Sequence, residues 1–311
     1  MKILIGYDGS ESANTALEDL KVAGLDTEVD VLVMCVADVF VPPPLTEEDD
    51  DKFSMHVPEG IKRAHERARH KLEQAGDLAK RICDQIKSLF PNWNVNPHAE
   101  ADSPAWALLR KADSWKPDLI IMGARGHSVF GGRLILGSIS QRVLYEARCS
   151  VRIGRASYKG VDKPVRLLIG VDTSSDSNAA VEAVCNRHWP KGTEVGLLVV
   201  VDTVMPLTAN PAEPSAMKWI EVADESNWAE VRQIFEPYAQ KLRNAGLHAE
   251  VLIRRGSPAD EIVEEANTWG ADCIFVGARG TRGIDRLLLG SVSSAVSARA
   301  SCSVEVVRMN K

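Results

Sequence analysis

Two stretches of the chain set glycine, arginine and serine in an order suited to gripping an anion. Residues 277–291 read GARGTRGIDRLLLGS, and residues 123–138 read GARGHSVFGGRLILGS. Each follows a short apolar run and leads into a helix-like segment. Gly277 and Gly280 can adopt backbone angles that other residues resist, and they let a ligand approach the main chain closely. Gly290-Ser291 opens the next segment, where the unpaired N–H groups and positive dipole end of a helix favour an anion. The Ser291 and Ser293 hydroxyls add donors, and the other copy offers Gly123, Gly126, Gly137, Ser138 and Ser140 at matching places. Together these groups form a phosphate cradle. The competing reading is a glycine-rich strand-to-helix turn with serine as an ordinary helix cap. Two copies, each with an aspartate ending another strand, weigh toward binding.

Those aspartates are Asp8 and Asp172. A carboxylate at a strand end can accept hydrogen bonds from a ribose or help hold a divalent cation; it can equally close an Asx turn at the next helix. Arg125 and Arg279 inside the glycine turns, and Arg133 and Arg286 beyond them, could neutralise phosphate or lie solvated. Other chemistries are excluded by pattern. There is no G-x-x-x-x-G-K-[ST], and the glycine segment follows the fourth strand of its half, not the first, so it is not the dinucleotide fingerprint. No nucleophile elbow, H-E-x-x-H or Cys-His arrangement is present, so any hydrolysis is expected to be slow and incidental.

The elements that must position these groups occur twice. LIGYDGSESANTALE (4–18) aligns with LIGVDTSSDSNAAVE (168–182), PDLIIMGARG (117–126) with ADCIFVGARG (271–280), and LILGSIS (134–140) with LLLGSVS (287–293). The repeat unit is a whole domain, with the boundary near the polar stretch 154–164, giving domains 1–155 and 164–311. In each half the pattern predicts strands at 2–7, 29–37, 93–100, 118–122 and 150–153, and at 165–171, 194–201, 247–254, 272–276 and 303–307. Helices are expected between them at 11–22, 60–88, 103–115 and 138–147, and at 176–188, 224–245, 257–269 and 291–300. Ser103-Pro104 and Ser257-Pro258 read as helix starts, with serine capping and proline at the first turn. Apolar strands alternating with helices imply an α/β fold with a parallel sheet covered on both faces, whose ligands bind beyond the carboxyl ends of the strands at the switch point.

Composition agrees. With 311 residues, 45% apolar, the chain can bury two sizeable cores, and a net charge of −6 argues against a dedicated nucleic-acid binder. The opening apolar run breaks at Asp8, too short for a signal core or a membrane span, so a cytoplasmic protein is expected. Cys35, Cys83, Cys149, Cys185, Cys273 and Cys302 form no C-x-x-C pair and read as small buried hydrophobes. The acidic run 46–52 reads as a solvated loop, and the Pro-rich stretches 41–45 and 205–214 as lids or partner contacts. His65 and His70 are poorly spaced for a metal pair, and no metal site is expected.

A strand-end Asp, followed after the fourth strand by G-x-x-G-x(9)-G-[ST], resembles the universal stress protein family, and it does so along both halves. The resemblance implies two tandem Rossmann-like domains of the adenine nucleotide alpha hydrolase-like type, each a five-stranded parallel sheet flanked by helices. It also implies, in one branch, binding of ATP, with or without Mg2+. Carried across, phosphates would lie at Gly277, Gly280, Gly290, Ser291, Val292 and Ser293. The ribose would lie by Asp172, and adenine by the main chain at Val200, with Val276 flanking. The N-terminal equivalents are Asp8, Val36, Met122, Gly123, Gly126, Gly137, Ser138, Ile139 and Ser140. The implied function is nucleotide-dependent stress-response or signalling regulation with an unnamed protein partner; the alternatives are an interaction module that binds no nucleotide and a slow ATPase. Pairing of the last strands, 150–153 with 303–307, would make the chain an intramolecular pseudo-dimer, with a homodimer of whole chains left open. The N-terminal half departs from the pattern. Ten residues, not nine, separate Gly126 from Gly137, and the insert brings Phe130 and extra glycine. The C-terminal site is therefore expected to bind ATP at least as tightly as the N-terminal one, which a two-site titration reads directly.

Overall fold

The computed structural model describes residues 1–39, 59–126, 136–155, 164–201, 228–280 and 289–309. Arg133, Arg286, Phe130, the Pro-rich and acidic stretches and most of the expected domain boundary lie outside these residues.

The first half runs β1 (Lys2–Gly6), α1 (Glu11–Asp19), β2 (Asp30–Ala37), α2 (Glu59–Leu89), β3 (Asn94–Ala101), α3 (Pro104–Trp115), β4 (Leu119–Gly123), α4 (Ser138–Glu146) and β5 (Ser150–Gly154). The second repeats the order with β6 (Arg166–Val171), α5 (Ser175–Cys185), β7 (Glu194–Val201), α6 (Trp228–Asn244), β8 (His248–Arg255), α7 (Pro258–Trp269), β9 (Cys273–Gly277), α8 (Ser291–Arg299) and β10 (Ser303–Val307). The expected first helix ends at Asp19 and finishes as a single 3-10 turn, Leu20–Val22.

All ten strands form one sheet, in the order β3-β2-β1-β4-β5-β10-β9-β6-β7-β8. Within each half every pairing is parallel. Central strands are apolar on both faces because helices cover both: Ile3, Leu4, Ile5, Ile120, Ile121, Leu168 and Ile274 are all buried. β3 is an edge strand and is polar, and it tolerates Pro97, whose missing N–H costs an edge little. The order reverses between β1 and β4, and between β6 and β9, which opens a crevice at their carboxyl ends in each half.

Two local expectations need correction. Ser103 and Ser257 do occupy the cap positions before Pro104 and Pro258, but neither side chain caps its helix.

The halves join where β5 and β10 pair antiparallel, with Arg152 directly opposite Glu305. Both side chains are completely buried, as is Asp19. Arg152 donates to Asp19 (Nε–Oδ2 2.5 Å, Nη2–Oδ1 3.0 Å) and to Glu305 (3.2 Å). Arg187 donates to the two Glu305 oxygens (2.8 and 2.5 Å) and to the Ala23 carbonyl of the other half. Ser303 Oγ donates to Asp19 across the seam at 2.8 Å. Beside this network Trp189 of the second half lies flat on Gly24 of the first. A Cβ there would stand 2.7 Å from the indole, and Gly24 has φ +62°, so only glycine fits.

Burial alone would push the Glu305 carboxyl up; Arg187 and then Arg152 outweigh it and hold the group below its ordinary 4.5. A depressed carboxylate contributes stability above its unfolded pKa and loses it as pH falls through the folded one. Unfolding midpoints in urea should therefore drop as pH falls below about 4.5, and Glu305→Gln should flatten that slope. At neutral pH Glu305→Ala, which removes the carboxylate shared by two buried guanidiniums, should cost about 3–5 kcal/mol in the same assay.

Candidate functional site

In the second half the crevice is built from the end of β6, the start of α5, the glycine turn after β9 and the start of α8. Asp172 follows β6, and its Oδ1 accepts the Ser174 N–H (2.9 Å) and the Ser174 hydroxyl. Ser174 in turn caps α5 by accepting the Ser177 N–H (3.2 Å). The Asx turn weighed against ligand binding is thus formed, but by one carboxylate oxygen only. The other, Oδ2, faces the glycine turn so closely that a Cβ on Gly280 would lie 2.7 Å from it. The first half repeats this arrangement: Asp8 Oδ1 accepts the Ser10 N–H (2.9 Å), and a Cβ on Gly126 would meet Asp8 Oδ2 at 2.9 Å.

The glycines are needed for contact, not for unusual angles. None of Gly123, Gly126, Gly277 and Gly280 has a positive φ, so of the two expected roles, unusual angles and close approach, the first does not apply. A Cβ on Gly277 would come within 2.6 Å of the Asp176 carbonyl carbon, and one on Gly123 within 2.6 Å of that of Ser12. The first glycine of each turn therefore lets the helix backbone press against the strand end.

Gly290 and Gly137 are the N-caps of α8 and α4, with φ −66° in both. Each donates its N–H to the turn, Gly290 to Ala278 O and Gly137 to Ala124 O, both at 2.8 Å. The first intrahelical bonds are Ser294 N to Gly290 O and Gln141 N to Gly137 O. A glycine cap has no side chain to offer the first-turn N–H groups, whereas α1 and α5 are capped by Ser10 and Ser174. Ser291 and Ser138 are exposed at these starts, and Val292 and Ile139 are half-buried against the core.

Ser293 and Ser140 do something other than expected. Ser293 Oγ donates to Gly277 O (2.6 Å) and Ser140 Oγ to Gly123 O (2.8 Å), stapling each helix to the end of its strand. The inward turn gives each hydroxyl a main-chain acceptor at the strand end.

Val200 and Val36, the penultimate residues of β7 and β2, are half-buried beside the crevice. The β6–β7 ladder ends at Val171–Val199, one residue short of Val200. Val276 and Met122 are buried under the glycine turns, paired with Gly170 and Gly6 of the neighbouring strand.

Three residues that sequence reasoning passed over shape the surroundings. Asp176, in the first turn of α5, takes Arg279 in a fork (Nε–Oδ2 2.9 Å, Nη2–Oδ1 3.1 Å), so that arginine is committed within the protein. The mismatch of Ser12 with Asp176 in the aligned repeats was the available signal. Arg155 and Arg308, each just past the last strand of its half, reach across the seam. Arg155 donates to Ser297 O in α8, and Arg308 to Leu144 O in α4 (2.6 Å). Tyr145 of α4 also hydrogen-bonds Ser294 in the first turn of α8 (2.5 Å). As lone loop arginines they carried no sequence signal. Among the described residues no group of three or more His, Cys, Asp or Glu could hold a metal ion, and no helix is long and apolar enough to cross a membrane. All six cysteines are free thiols; Cys35, Cys83, Cys149, Cys273 and Cys302 are buried.

The sequence model described as the universal stress protein family matches residues 1–155 and 165–308. A universal stress protein of Mycolicibacterium smegmatis is 26% identical over 309 residues, spanning 98% of this chain and 96% of its own. One from Methanocaldococcus jannaschii is 34% identical over 164 residues, 52% of this chain and 88% of its own. The crystal structure of a universal stress protein from Archaeoglobus fulgidus covers 99% of this chain, and 98% of that one is covered in turn, with TM-score 0.63 and 21% identity, a likeness of fold.

The two glycines of the second turn should separate in a mutational test. Gly277→Ala, blocked by backbone, should lower stability by about 2 kcal/mol or more, while Gly280→Ala, which meets only a movable carboxylate, should cost under about 1 kcal/mol; urea unfolding distinguishes them.

Proposed function

Because the chain belongs to the universal stress protein family along both halves, we propose that it is an ATP-binding regulator of stress response or signalling, its conformation or partner choice set by the nucleotide it holds. The observation that carries this reading is the pair of helix starts at Gly290 and Gly137, glycine-capped and opening onto a crevice bordered by Asp172 or Asp8. Such a start offers main-chain N–H groups and the positive end of a helix dipole to an anion. The N–H groups of Ser291, Val292 and Ser293 would take the phosphates and Asp172 Oδ2 the ribose hydroxyls, with Gly277 and Gly280 keeping the floor open. The main chain at Val200, beyond the end of the β6–β7 ladder, would meet adenine. Asp8, Val36, Met122, Gly123, Gly126, Gly137, Ser138, Ile139 and Ser140 would serve likewise in the first half. A Mg2+ ion accompanying the triphosphate would find a carboxylate in Asp172. Regulation follows by linkage, since a ligand that binds one state more tightly shifts the population toward it.

An interaction module without nucleotide is the second reading. It is favoured by the groups that turn inward: Ser293 and Ser140 staple helices, and Arg279 pairs with Asp176.

One preparation decides between them. The purified protein is denatured, released nucleotide is identified, and wild type and Gly290→Val are titrated with ATP by calorimetry. The expected result is ATP binding that Gly290→Val weakens at least tenfold, about 1.4 kcal/mol. Neither released nucleotide nor heat would leave the interaction module standing, and binding indifferent to Gly290→Val would remove the phosphates from this helix start.

A further inference from the structure

Aligning the halves sets Ser12 opposite Asp176. Both lie in the first turn of the helix that follows the first strand of their half. Both accept the main-chain N–H of the arginine in the glycine turn: Arg125 N to Ser12 Oγ at 3.1 Å, and Arg279 N to Asp176 Oδ2 at 3.1 Å. There the likeness ends. The Asp176 side chain is only 3% exposed, and it also holds the Arg279 guanidinium in a fork. One half thus keeps a buried carboxylate beneath its glycine turn where the other keeps a neutral hydroxyl.

This carboxylate borders the cradle. A Cβ on Gly290, the cap of α8, would stand 3.4 Å from the Arg279 Cα, so the turn whose Arg279 N–H this carboxylate holds shares a wall with the helix start. A carboxylate buried beneath the turn offsets the guanidinium it holds, with little screening by salt or water, and the first half has no carboxylate at that place. The equivalent arginines past the last strands register the difference. Burial pushes Arg155 down to about 10, and Arg125 adds to the depression. Burial also pushes Arg308 down; Cys149 and then Asp176 act there as counter-charges, and Arg279 opposes them as Arg125 does in the first half.

We propose, against the ranking of the two sites expected from loop length alone, that position 12/176 sets how much anionic charge each cradle accepts: Ser12 suits the N-terminal cradle to the polyphosphate of ATP, and Asp176 suits the C-terminal cradle to a nucleotide with fewer phosphate charges, AMP at the limit. The inference rests on the nucleotide-binding reading above. Its consequence is a chain that reads two charge forms of one ligand class through one sheet.

The test uses the full-length chain, titrated calorimetrically with ATP and with AMP, as wild type, Asp176→Ser, Ser12→Asp and the double exchange. Each single exchange installs the residue that the other half already carries. In wild type the ATP-over-AMP affinity ratios of the two sites should differ by about tenfold. Asp176→Ser should raise the lower ratio about tenfold, Ser12→Asp should lower the higher one by about the same, and the double exchange should interchange them. Where one site alone takes nucleotide, its own exchange decides. Ratios unchanged within about twofold, or moved the opposite way, overturn the inference while leaving nucleotide binding intact. A wild type that binds neither ATP nor AMP sinks the nucleotide reading itself and this inference with it. If circular dichroism shows Asp176→Ser unfolded, Asp176→Asn removes the charge while keeping an acceptor for Arg279, and an unchanged ratio in that variant overturns the inference equally.

Discussion

Arg152 facing Glu305 in a place without water is the constraint on which the molecule is organised. Two buried ions cost more in desolvation than their attraction returns unless every remaining donor and acceptor is met. Here Asp19, Arg187 and Ser303 meet them, and each is drawn from a different element. Asp19 ends α1 and Arg187 follows α5, the two helices whose other ends carry the Ser10 and Ser174 caps beside Asp8 and Asp172. The seam therefore fixes, from the far end, the helices that frame both crevices. It also removes an exposed edge from each half, because β5 and β10 would otherwise each present an unpaired row of backbone groups.

The fold was legible because its signals are local and doubled. Apolar runs such as Leu119–Gly123 and Cys273–Gly277 can only be two-faced strands, and the recurring Asp and Gly-x-x-Gly mark the ends where the order reverses. What escaped was decided by competition between partners. Ser257 stands at a cap position without capping, and Ser293 looked like a donor to a ligand until a strand-end carbonyl claimed it. The turn glycines were legible on two grounds, unusual angles and close approach, and the second decides: a helix backbone pressed against the strand end leaves no room for a side chain at Gly277. Asp176 showed only as a mismatch with Ser12 in the aligned repeats and Arg308 not at all, since their roles depend on which elements meet across the crevice and the seam.

The cradles are consequently main-chain devices set in a charged frame. With Ser140 and Ser293 turned inward, what each helix start presents outward is N–H groups whose direction is set by the helix axis. That axis is steadied at its far end by the opposite half, through Arg155 on Ser297 O and Arg308 on Leu144 O. Each half thus holds the other's last helix by its final carbonyls, and Tyr145 touches the first turn of α8 itself. A shift of either helix along its axis has to be accommodated by both.

The seam also bears on how the chain can recognise copies of itself. Arg152 and Glu305 occupy the same place in β5 and β10. A true two-fold dimer of either half, built on this pairing, would bring each of these residues against its own image. Arginine would then face arginine, or glutamate glutamate, with no solvent to separate them. Joined in one chain, the two strands are no longer bound to be self-complementary. They have become a plug and a socket, and neither fits a mirror.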